Sequence, residues 1–215
     1  MRQVLYLHGF ASGPQSSKGL FFRERFASQG VPVDLPDLAA GDFEHLTLTG
    51  QLEVIDARVQ ALAPDVLMGS SLGGYLAALY AARHPGRLRR VVLLAPGFGF
   101  ARRWPARLGA EVLSQWRERG WTEVHHYGEN RPARLGYQLL EDGHQYEDYP
   151  DVTDPVLVLH GTRDDVVLAA WSEEFAANRP NVTLRLLDTD HQMLDVLDTL
   201  WDEVWAFVKD AVRPA

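Results

Sequence analysis

The stretch Met68-Gly69-Ser70-Ser71-Leu72-Gly73-Gly74 constrains this chain most, because it fits a serine held on a sharp turn between a strand and a helix. It matches G-x-S-x-G with Ser71 at the centre. Residues 65–69 read as a short buried strand before it, and residues 72–83 as a helix after it. Such a turn pushes the serine backbone into a sparsely allowed conformation, and side chains at Gly69 or Gly73 would collide with neighbouring backbone. The hydroxyl then stands at a helix N-terminus, where free N–H groups favour developing negative charge. The flanking strand and helix separate this pattern from a plain glycine-rich turn. The uncharged run 66–82 is interrupted by Gly and Ser and falls short of the ~20 apolar residues a membrane span requires.

Short apolar runs alternate with helical patterns along the whole chain. Residues 3–8, 31–35, 65–69, 90–95, 155–160 and 182–187 read as strands, and 16–29, 46–62, 72–83, 168–178 and 193–208 as helices. That alternation predicts an α/β fold, with a short, mostly parallel, doubly wound sheet flanked by helices. Runs such as Val91-Val92-Leu93-Leu94 and Val156-Leu157-Val158-Leu159 are continuously apolar, as strands buried on both faces should be.

One segment breaks the rhythm. Residues 97–151 hold no evident strand, turn rich in Arg, Trp, Tyr and acid, and enter where a helical cap over the site would enter. Trp104, Leu108, Val112 and Trp116 recur at four-residue intervals, although Pro105 and Gly109 argue against one continuous helix. Trp104 and Leu108, together with Met193, are candidate lining for a substrate pocket; the competing reading is a stripe that packs on the core. With no repeat and no linker, residues 1–215 are expected to form one domain, 97–151 being an insertion in it.

The apolar fraction of 46% and charged fraction of 23% fit a globular protein. A net charge of −8 makes nucleic acid and anionic membranes poor partners. The absence of cysteine removes disulfides, thiolate metal sites and a cysteine nucleophile. The first apolar run, Val4-Leu5-Tyr6-Leu7, is too short for a signal-peptide core, so a cytoplasmic location is the expectation.

A serine needs a base, and the base needs an orienting carboxylate. In doubly wound hydrolases these follow in the order Ser, acid, His, each after a later strand. After the strand at 155–160 comes Gly161-Thr162-Arg163-Asp164-Asp165; after that at 182–187 comes Asp188-Thr189-Asp190-His191. Of eight histidines only His191 lies beyond the last strand. Asp164 and Asp165 both remain open as the acid on spacing alone. Two oxyanion donors are expected from the backbone N–H groups of Leu72 and Phe10, since Gly9 lets the loop His8-Gly9-Phe10-Ala11 turn tightly. His125, His126, Glu129 and His144 fit a solvated loop better than a metal site, because no H-E-x-x-H spacing joins them.

Taken together, His8-Gly9-Phe10, Gly69-Ser70-Ser71-Leu72-Gly73-Gly74, His160-Gly161-x-x-Asp164-x-x-Val167 and the late His191 resemble the α/β-hydrolase superfamily. Within it the chain looks like the small YqiA-type bacterial esterases and is similar to the mitochondrial mycophenolic acid acyl-glucuronide esterase. The family's H-G-x-x-D-x-x-V pattern implies Asp164 as the acid. It also implies a cofactor-free esterase or thioesterase for small or medium acyl substrates. Relative to the family, the first two strands are missing. The rival readings are an amidase or peptidase on the same residues, and a hydrolase fold that only binds a ligand.

Overall fold

Alternation along the strands divides the core into two layers. In β1 (Val4–Leu7), Leu5 and Leu7 face one layer and Val4 and Tyr6 the other, all wholly or almost wholly buried. The computed structural model describes residues 3–212. After β1 come α1 (Ser17–Ala27), β2 (Val33–Asp34), α2 (Leu48–Leu62), β3 (Val66–Ser70), α3 (Leu72–Arg83) and β4 (Arg90–Leu94). Then follow α4 (Phe100–Leu108), α5 (Ala110–Arg119), β5 (Trp121–His126), β6 (Arg131–Gly136) and α6 (Gln138–Gly143). The chain continues through β7 (Val156–Gly161), α7 (Ala169–Ala176), β8 (Val182–Leu187) and α8 (Leu197–Val212).

Six strands form one sheet in the order β2-β1-β3-β4-β7-β8, and every pairing in it is parallel. Reversal of strand order at β1 puts the C-terminal ends of β1 and β3 side by side, which is where a doubly wound sheet opens a crevice. β2 is shorter than the expected 31–35, because Pro32 and Pro36 supply no N–H to the ladder on either side of it.

α3 is buried from Leu72 to Ala81. Its small residues let it lie close to β1, β3 and β4. On the opposite face α8 packs against α1, with the Phe26 and Trp201 rings meeting edge-on at 5.1 Å.

The segment between β4 and β7 is not wholly helical. β5 and β6 pair as an antiparallel hairpin, with Trp121 opposite Gly136 and His126 opposite Arg131. Both strands are largely polar and half-exposed, so neither carries the apolar alternation by which a strand is recognised. The four-residue stripe does not form one face either. Gly109, at φ 84° and ψ 155°, separates α4 from α5; Val112 is exposed, and Trp116 is buried with its Nε1–H donating to the Leu135 carbonyl at 3.0 Å.

Candidate active site

Ser71 stands between β3 and α3 with φ 54° and ψ −121°. A non-glycine residue held there costs of order 1–3 kcal/mol and needs outside support. Its N–H donates to the Leu94 carbonyl at 2.9 Å, while its own carbonyl accepts from the Tyr75 N–H at 3.1 Å and the Gly97 N–H at 2.9 Å. The two glycines of the motif are steric requirements. A Cβ on Gly69 would lie 2.2 Å from the Gly73 carbonyl oxygen, and one on Gly73 would lie 2.3 Å from that of Leu7.

The loop after β8 brings His191 to this serine, with Nε2 3.1 Å from Ser71 Oγ. On the other side of the ring, Nδ1 lies 2.7 Å from Asp164 Oδ2. A carboxylate only accepts, so Nδ1 carries the proton and Nε2 is free to receive one from the hydroxyl. Of the two adjacent acids, Asp164 points inward and is buried, whereas Asp165 is exposed. Asp164 Oδ1 accepts from the N–H groups of Val166 at 2.9 Å and Val167 at 2.7 Å. Burial pulls the Asp164 pKa upward, but donors on His160, His191 and Val167 outweigh it and hold the carboxyl well below the usual range.

The loop after β1 lies directly against the serine: a Cβ on Gly9 would sit 3.3 Å from Ser71 Cβ. His8 braces this loop and reaches no reacting atom. Its Nε2 accepts from the Leu38 N–H at 3.2 Å, so its Nδ1–H donates to the Gly9 carbonyl at 2.9 Å. Among the described residues the Phe10 N–H meets no protein acceptor, and Leu72 opens α3, where the first N–H groups have none within the helix. The Phe10 ring packs against Trp104 at 5.0 Å, Phe100 at 5.5 Å and Phe43 at 5.9 Å, so α4 contributes an aromatic wall beside the loop.

Of the three expected pocket residues, Trp104 lies in that wall and Leu108 packs alongside the same core layer. Met193 does not join them. It is fully buried on the other face of the sheet, in the layer formed with α1 and α8, and it occupies the left-handed region at φ 54°. The helix expected from 193 begins instead as a 3-10 turn at Leu194–Val196 before α8. His126 is an anchor of the hairpin, its Nδ1 accepting the Glu129 N–H at 3.1 Å.

Two groups escaped the sequence reading. Lys18 of α1 donates its ammonium to the Gln192 carbonyl at 2.8 Å and to that of His191 at 3.4 Å. Nothing in α1 announces a partner more than 170 positions away. His160, at the end of β7, is fully buried with Nε2 3.2 Å from Asp164 Oδ2. It belongs to the H-G-x-x-D pattern, but the pattern does not reveal that it touches the acid.

Residues 3–209 match the model of a family described as an uncharacterised protein family, UPF0227. A pimeloyl-[acyl-carrier protein] methyl ester esterase of Aromatoleum aromaticum is 26% identical, over 86% of this chain and 88% of its own. The mitochondrial palmitoyl-protein thioesterase ABHD10 of Bos taurus is 25% identical, over 91% of this chain and 68% of its own. Among solved structures, mouse alpha/beta hydrolase domain-containing protein 10 superposes with a TM-score of 0.78 at 20% identity, covering 97% of this chain and 90% of that one. The fold is that of the α/β-hydrolases, as the motifs implied.

Proposed function

Because the chain belongs to the UPF0227 family, whose description assigns no reaction, we propose from the site itself that it is a serine hydrolase cleaving carboxylic ester or thioester bonds. The observation that carries this is the line Ser71 Oγ, His191, Asp164, with contacts of 3.1 Å and 2.7 Å on a buried carboxylate. The ester- and thioester-cleaving relatives support the same bond class.

Ser71 Oγ attacks the acyl carbonyl as His191 Nε2 takes its proton, and Asp164 stabilises the imidazolium. The N–H groups of Phe10 and Leu72 receive the oxyanion. Collapse expels the alcohol or thiol, protonated by His191. Water, deprotonated by the same nitrogen, then releases the acid and restores Ser71. The wall of Phe10, Phe100 and Trp104 favours an apolar acyl group of small to medium size.

Hydrolysis of p-nitrophenyl esters from acetate to palmitate tests this. Wild type should turn over the shorter members, and Ser71→Ala should lose about a millionfold in kcat, as removal of such a nucleophile does in a comparable triad. Equal activity of the two proteins would refute the reading. Parallel anilides would separate the amidase alternative.

A further inference from the structure

His160 has no part in the steps above, yet it is a wholly buried histidine against the proposed catalytic acid. Its surroundings settle its protonation. Nε2 lies 2.8 Å from the Val167 carbonyl, which only accepts, so Nε2 carries a hydrogen. Nδ1 lies 2.7 Å from Ser172 Oγ on α7, itself fully buried. The Ser172 hydroxyl has no other side-chain or loop partner among the described residues. If Nδ1 also carried a hydrogen, the serine would accept it and its own proton would be left without an acceptor. The arrangement that satisfies every atom is a neutral imidazole, with Ser172 donating to Nδ1 and Nε2–H donating to the Val167 carbonyl while lying 3.2 Å from Asp164 Oδ2.

We propose that His160 is a positioning residue of the site: a neutral Nε2–H imidazole, held in that tautomer by Ser172, that fixes the Asp164 carboxylate for His191. Asp164 Oδ2 then has two imidazole N–H groups beside it, at 2.7 Å from His191 and 3.2 Å from His160, while Oδ1 takes two backbone N–H groups. With Nε2 of a fully buried ring 3.2 Å from Oδ2, the carboxylate has little room to swing away as His191 gains and loses its proton. His160 also holds the Val167 carbonyl of the same turn, so one ring fixes both the acid and the loop that carries it.

The inference rests on the serine-hydrolase reading for its effect on rate, but its protonation claim stands apart from any activity. Of the charged groups around the His191–Asp164 pair, Lys18 from α1 interacts with Asp164 and with Asp190 of the His191 loop; Arg163 is engaged by Asp188, and Asp165 is exposed.

The test pairs His160→Leu with His160→Gln and Ser172→Ala, each checked for wild-type folding by near-UV circular dichroism. His160→Leu should lose roughly ten- to a hundredfold in kcat with KM little changed, the rate equivalent of one hydrogen bond to a charged group. With one donor gone the carboxylate holds the His191 imidazolium more tightly, so the acidic limb of kcat/KM should move to higher pH. His160→Gln, which keeps an N–H, should recover most of the loss. Wild-type activity in folded His160→Leu, or a loss with an unmoved limb that Gln does not recover, would reduce His160 to packing.

Nitrogen-15 NMR of imidazole-labelled wild type reads the tautomer directly and needs no variant to fold. His160 should carry its proton on Nε2, opposite the Val167 carbonyl, with Nδ1 accepting from Ser172; the Nδ1–H tautomer would overturn the proposal. Loss of hydrolysis with an intact NMR signature would fault the serine-hydrolase reading instead.

Discussion

At the scale of single residues, the Asp164 carboxylate concentrates the electrostatics of the site. Its pKa is depressed in the folded chain by donors it would lack when unfolded. The contribution to stability is therefore fully present above the ordinary carboxylate pKa of ~3.9 and is lost as pH falls through and below it. Asp164→Asn removes that titration while approximately keeping the shape. In acid-titrated chemical denaturation, wild type should lose more stability between neutral pH and pH 3 than Asp164→Asn does. Parallel curves for the two would contradict the assignment. The choice of Asp164 over Asp165 came from a family pattern and not from chemistry, because adjacent acids on a turn look alike in sequence. Burial and the Val166 and Val167 N–H groups distinguish them only once the turn is folded.

At the scale of elements, a contact between α1 and the loop carrying His191 adjoins the proposed site. Lys18 and Lys209 are the only lysines of the chain, and Lys18 is spent on two carbonyls of that loop. A compact ammonium suits two nearby carbonyls in a confined space better than a planar guanidinium does. Burial lowers its pKa to about 8 against the opposing pull of Asp164 and Asp190. A lysine with a lowered folded pKa is disfavoured in its charged form by folding, so its charge, and with it the clamp, is lost as pH rises through about 8. We expect kcat/KM of wild type to decline above that pH, and Lys18→Met to show a lower plateau without the decline. An identical alkaline limb in both proteins would remove Lys18 from the site. The elements themselves differ in how far sequence reveals them. β3, β4 and β7 are legible because each holds a continuous apolar run, Val66–Met68, Val91–Leu94 and Val156–Leu159, buried on both faces. β5 and β6 are not, because a half-exposed polar hairpin has no period to read. Met193 is expected from the sequence to line the pocket, but it occupies the left-handed region and its side chain is buried in the opposite layer.

At the scale of the whole molecule, Ser71, Asp164 and His191 are separated by 93 and 27 positions and meet only because β3, β7 and β8 end on one edge of a parallel sheet. The parallel, doubly wound sheet and the Ser-acid-His order along the chain are legible from alternation and motif; the strand order is not. The segment between β4 and β7 is legible as a break in the strand-helix rhythm, but the β5–β6 hairpin within it is not. On the proposed function, nucleophilicity at Ser71 would be a property of the folded chain, and an active-site-directed fluorophosphonate followed by peptide mapping measures it most directly. Native protein should carry the phosphonyl group on Ser71 alone, His191→Ala should label far more slowly, and protein unfolded in urea should not label at all. An unlabelled native Ser71, or labelling that persists in urea or in His191→Ala at the wild-type rate, would contradict a serine activated by this fold.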